Sequence, residues 1–109
     1  MKLLLCAVAM AGAFCLGTAR ADDAGANWTA KCAPCHGANG KGETKMGRKL
    51  RIVNLTDAKV QASFTDADAI KGIKEGIKDE KGVARMQPAE GLSDADVQAL
   101  VAYVRALKP

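Results

Sequence analysis

Apolar residues recur with a helical period in three parts of this chain, and no stretch of any length alternates as a strand does. The clearest run is the last. Val97, Leu100, Val101, Val104 and Leu107 return at intervals of three and four, which predicts an amphipathic helix reaching to the C-terminus. Ser93 followed by Asp96 supplies a capping pattern at its start. The same pattern, Thr65 with Asp68, precedes Ile70, Ile73 and Ile77, and Gly76 is placed to end that helix or its last regular turn. A third helix is predicted over 22–30, where two leading acids suit the helix dipole and Ala24, Trp28 and Cys32, spaced by four, share a face. Thr56 can cap a short turn over 57–62. Residues 37–47 hold four glycines and read as a loop, as does the polar stretch 78–87. The pattern therefore predicts three or four short helices joined by long loops. A large group bound among them would give those loops something to pack on.

The N-terminus has a different pattern. Lys2 precedes an apolar run over 3–17, and Ala19-Arg20-Ala21 fits a small-x-small cleavage site, the signature of a secretory signal. The run is shorter than the roughly 20 residues a membrane-spanning helix needs, so an uncleaved anchor is the second choice. A lipidated Cys15 is disfavoured by the bulky Phe14 before it. Cleavage after Ala21 leaves 22–109 as one exported domain, with the periplasm as the expected compartment.

Removing the signal changes the composition. Cys6 and Cys15 leave with it, so of four cysteines only Cys32 and Cys35 remain, too few for a disulfide framework. The formal charge of +4 for the full chain falls by two when Lys2 and Arg20 go, which gives no support to a nucleic-acid role. Large apolar side chains are few, and Trp28, Phe64 and Tyr103 are the aromatic residues left. A domain this small usually needs a staple beyond its core.

The remaining cysteines belong to Cys32-Ala33-Pro34-Cys35-His36, and His36 is the only histidine. Two thiols three apart followed by an imidazole match the attachment pattern of c-type haem. Each thiol can form a thioether to a vinyl group, and His36 can then bind the iron from one face as proximal ligand. A redox dithiol would need a strand–turn–helix setting that the pattern lacks, and a zinc site would be short of ligands. With no second histidine, methionine is the natural distal donor, and Met/His ligation raises the iron potential. Met46 and Met86 survive cleavage. Met86 stands before the terminal helix, free to approach the opposite haem face. Met46 lies ten residues past His36 among lysines and glycines, with little to hold it, and is the less favoured candidate. Either could instead fill an apolar gap.

Met86-Gln87-Pro88, Gly91-Leu92-Ser93-Asp94-Ala95-Asp96 and Val101-Ala102-Tyr103-Val104-Arg105 together resemble the C-terminal part of a class I cytochrome c. Trp28 before Cys32, and His36-Gly37-x-x-Gly40-x-Gly42, resemble its N-terminal part. The resemblance implies an all-α class I cytochrome c fold, short helices and long loops wrapped around one covalent haem c. It also implies that the first and last helices cross, placing Trp28 near Leu100 and Tyr103. Three features depart from the family pattern. Gln87 separates Met86 from Pro88 where the family often has methionine directly before proline. No proline occurs between His36 and Pro88 to offer its carbonyl to the histidine ring, so another carbonyl must orient His36. Ala24, with Gly25 beside it, takes the small-residue position of the first helix, a crossing that should tolerate alanine.

Lys41, Lys45, Arg48, Lys49, Arg51, Lys71, Lys74, Lys78, Lys81 and Arg85 gather in the middle of the chain. In this family lysines around the exposed haem edge steer docking onto acidic redox partners, and the same residues also suit a plain solvated face, with Glu43, Glu75, Asp79 and Glu80 among them. The resemblance implies a soluble single-electron carrier between redox partner proteins, with no catalytic acid–base pair, no nucleic acid and no stable membrane insertion after cleavage. Two other readings fit the same residues. One is a haem enzyme or small-gas binder with an open sixth site, against which the early position of the motif counts. The other is a cytochrome subunit of a larger oxidoreductase complex.

Overall fold

The computed structural model describes residues 21–109, so the expected signal lies outside the described residues except for its last position. The first helix, α1, is Ala21–Asn27. It passes directly into one wider π turn at Trp28–Cys32 and then into α2, Ala33–His36. Pro34 accounts for the widening. It has no N–H for the Ala30 carbonyl, and its ring would crowd that carbonyl in a regular α-helix. The Ala33 N–H reaches back to the Trp28 carbonyl instead. The helical course thus runs past residue 30 to His36.

The glycine-rich segment is a loop only as far as Thr44. There the chain enters α3, Lys45–Leu50, with the Thr44 side chain accepting from the Gly47 N–H at 2.8 Å. Gly47 serves close approach rather than flexibility, because a Cβ there would stand 2.7 Å from the Cys35 carbonyl oxygen and closer still to that of Gly42. The next helix, α4, is Ala58–Ala62. Its cap is Asp57, not Thr56 as expected; Thr56 is buried and donates its hydroxyl to Asn54 Oδ1. Helix α5, Asp66–Glu75, has the predicted capping box of Thr65 and Asp68 and ends at Gly76. The stretch read as a polar loop contains an antiparallel hairpin, β1 Ile77–Lys78 with β2 Ala84–Met86. Its strands are too short to show alternation. Helix α6, Asp94–Arg105, has the predicted box of Ser93 and Asp96. It stops before Leu107, which packs on the core from beyond the helix.

Helix α1 packs on α6, and α5 packs on α6 from another side. Ala24 is 2 % exposed at the first contact, as expected of the small residue at a helix crossing. The buried core joins Trp28, Cys32, Leu55 and Ile73 to Val97, Leu100, Val101 and Val104 of α6. Trp28 and Tyr103 lie with ring centroids 5.3 Å apart, and Leu100 is in the same cluster, as the resemblance implies.

Candidate functional site

The predicted motif sits where α1–α2 meets the core. Cys32 is buried and Cys35 half-buried, both as free thiols. The loop after the motif folds back onto its backbone. The Thr44 hydroxyl donates to the Cys35 carbonyl at 2.6 Å. The Gly42 N–H donates to the His36 carbonyl at 2.7 Å, and the Trp28 indole donates to the Gly37 carbonyl at 3.2 Å. These bonds fix the direction in which the two thiols and the imidazole leave the chain. Thr44 was not singled out in the sequence, although a threonine three residues before a glycine at a helix start is a readable cap.

A cleft opens in front of the motif in two adjoining parts, of about 240 and about 690 Å³. The larger lies within the roughly 300–1,000 Å³ of small-molecule sites. Cys32, His36, Ile73 and Met86 border both parts. The inner walls are almost wholly apolar, with Leu55, Phe64, Leu100 and Val104 among them. Met46 borders the outer part alone and is 42 % exposed. The structure thus brings Met86 together with the motif at the inner cavity and keeps Met46 at the mouth.

The electrostatics follow from burial. Desolvation lowers the His36 pKa, keeping the imidazole neutral, the form that binds metals. Its Nδ1 is the buried side-chain nitrogen without a hydrogen-bond partner among the described residues. Among the described residues no carbonyl accepts from this nitrogen, contrary to expectation. The ring instead lies beside Trp28, with centroids 5.7 Å apart and planes tilted by 37°. An unmatched buried polar nitrogen costs about 1–3 kcal/mol, so the ring calls for a further partner. Burial also pushes the Cys32 thiol up to about 11, which disfavours the thiolate that dithiol exchange requires. Among the described residues, no group of three His, Cys, Asp or Glu side chains is placed to hold a metal ion.

The donor set fits a c-type haem. Two thiols, a neutral imidazole and a thioether face a largely apolar cleft with cations on its outer part. Lys31, Arg51 and Arg85 line that outer part, with Glu90 also on its edge.

Comparison with known proteins agrees with this chemistry. Residues 22–108 match the family model for cytochrome c. Cytochrome c-554(547) of Halothiobacillus neapolitanus is 32 % identical over 94 residues, which cover 81 % of this chain and all of that one. Among solved structures, the c-type cytochrome KustC0563 superposes with a TM-score of 0.67 at 31 % identity, covering 79 % of this chain and 98 % of that one. A point mutant of KustC0563 gives 0.65 at 32 % identity, with 79 % and 99 % covered.

Proposed function

The chain belongs to the cytochrome c family as a class I c-type cytochrome, and we propose that it is a soluble single-electron carrier in which Cys32 and Cys35 hold haem c by thioethers, His36 is the proximal ligand and Met86 the distal one. The family's cofactor is covalently attached haem c, whose iron supplies a one-electron couple when bound. The observation that carries the reading is the inner cavity, which Cys32, His36 and Met86 border together and Met46 does not.

Each residue has a role its surroundings support. The two cysteines tether the group, and because they leave one helical stretch their separation is fixed. His36 offers a neutral nitrogen. The apolar walls exclude water, so a change of charge inside draws little rearrangement of solvent. With haem c bound, Met86 would supply the second protein ligand and keep dioxygen and other small ligands from the iron. No acid–base pair is needed for this work, and the chain is read as a carrier rather than an enzyme.

Residues 1–21 are read as a secretory signal and residues 22–109 as a periplasmic domain. No helix among the described residues is long and apolar enough to cross a membrane. Met46, Val53 and Ile77 are exposed at the outer cleft, with the exposed Arg51 and Arg85 beside them. An apolar rim flanked by cations suits brief docking on an acidic redox partner.

The ferric holoprotein is expected to show the weak far-red methionine–iron band, and the ferrous form is expected to resist carbon monoxide. Met86→Ala should remove the band and admit carbon monoxide, whereas Met46→Ala should do neither. A wild-type protein that binds carbon monoxide readily would favour the open-site haem enzyme or gas binder. Purification from source in a defined larger complex would favour a resident subunit over a free carrier.

A further inference from the structure

We propose that Gly76 is the positioning residue for Met86: only a residue without a Cβ at this point lets the returning chain carry the methionine to the haem. The inference rests on the reading of Met86 as distal ligand.

Gly76 ends α5, donating its N–H to the Gly72 carbonyl at 2.9 Å, and takes a left-handed φ of +75°. The chain then enters β1, turns, and comes back as β2 with Ile77 opposite Met86. Asp79 ties the turn. Its Oδ1 accepts from the N–H groups of Lys81 and Val83, each at 2.9 Å, and its own N–H donates to the Val83 carbonyl at 2.9 Å. Past the hairpin, the Ala89 N–H donates to the Ile73 carbonyl at 2.8 Å. Residues 86–88 are thus held at both ends against the end of α5.

Between those two anchors the chain lies directly on Gly76. A Cβ on Gly76 would stand 2.5 Å from the Met86 carbonyl oxygen, 2.9 Å from Pro88 Cδ and 3.0 Å from Pro88 N. Backbone and a proline ring are in the way, not the far end of a flexible side chain, so relief has to come from moving Met86 itself. Gln87, inserted between methionine and proline, sets the spacing at which the Met86 carbonyl and the Pro88 ring both rest on Gly76.

Gly82 provides an internal control. It lies in the same hairpin turn at φ +78°, yet a Cβ there would meet nothing within 4 Å. Gly82→Ala therefore also places alanine at a positive φ, without the contact on Met86. The test uses the holoprotein well below its unfolding midpoint, with the ferric far-red band and carbon monoxide binding to the ferrous form as readouts. Gly76→Ala is expected to lose the band and admit carbon monoxide, while Gly82→Ala keeps the band and excludes it. Should Gly76→Ala not fold, Gly76→Asn brings the same Cβ on a residue whose short side chain can hydrogen-bond locally, and the same losses are expected. A folded Gly76 variant with an undiminished band overturns the proposal, and so does loss of the band in Gly82→Ala. Met86→Ala separates the two readings. If it keeps the band, the ligand assignment itself fails. If it loses the band while the Gly76 variants keep it, only the role of Gly76 fails.

Discussion

Trp28 shows how much one side chain can hold in a core this small. It is 2 % exposed, donates to the Gly37 carbonyl, and lies between the His36 and Tyr103 rings. Trp28→Phe keeps most of that packing and removes the donor, while the Gly37 carbonyl retains its bond from the Gly40 N–H. A loss of about 1 kcal/mol is expected, read from the urea midpoint of the holoprotein. Trp28→Ala should cost about 3–5 kcal/mol. The importance of Trp28 is legible in the sequence, since it is the one tryptophan and shares a helical face with Cys32. The absence of a carbonyl for His36 Nδ1 is not, because a ring's hydrogen-bond partner depends on where distant backbone comes to rest. The two methionines differ in the same way. They are chemically identical; position in the chain already favours Met86, and its place beside the motif at the inner cavity is visible only in the fold.

Capping at the element scale is written locally, and the sequence reads it well where a box is complete. Thr65→Ala or Ser93→Ala removes one side of a capping box and should cost about 1 kcal/mol by urea unfolding. Asp68 and Asp94 also bear on pH. The Thr65 backbone N–H, then its hydroxyl, hold the Asp68 carboxyl below the usual carboxylate range, and the hydrogen bond from Lys74 followed by its charge does the same for Asp94. A depressed carboxyl stabilises the fold above its unfolded pKa, and that contribution is lost as pH falls through the folded value. Stability should therefore drop below about pH 4. In an Asp68→Ala/Asp94→Ala variant the urea midpoint should fall less between neutral and acid pH. Boundaries were less legible than caps. Asp57 took the role assigned to Thr56 because the Thr56 hydroxyl is engaged by Asn54. Gly47 joined a helix because the close approach of Cys35 and Gly42 requires a missing Cβ there.

Over the whole molecule, Arg105 closes the fold. Its Nε meets Asp66 at 2.8 Å, its other nitrogens reach the Gln61 and Phe64 carbonyls, and its guanidinium lies 4.3 Å above the Phe64 ring. Gln61 in turn donates to the carbonyls of Leu55 and Val104. This network ties α6 to the wall of the inner cavity. Arg105→Ala should cost about 1.5–3 kcal/mol, and Arg105→Lys should recover little of it, because lysine lacks the planar fork. The cleft occupies space a larger core would otherwise fill. A Cys32→Ala/Cys35→Ala chain, unable to tether haem, is expected to lose its near-ultraviolet circular dichroism while keeping much of the far-ultraviolet signal. Electron exchange with an acidic partner should slow steeply as salt is added.

The sequence by itself determined the cofactor and the family resemblance, and it supplied the proposed tethering residues and proximal ligand, because these rest on residues adjacent in the chain or on short periodic runs. It also placed α5 and α6 with their caps, which are local hydrogen-bonding patterns. Only the tertiary structure decided that Met86 rather than Met46 shares the inner cavity with His36, that a hairpin carries it, and that Gly76 lies beneath it. Those facts depend on segments far apart in sequence meeting at ångström distances, and neither side-chain periodicity nor spacing encodes where the backbone of one loop will touch the end of a distant helix.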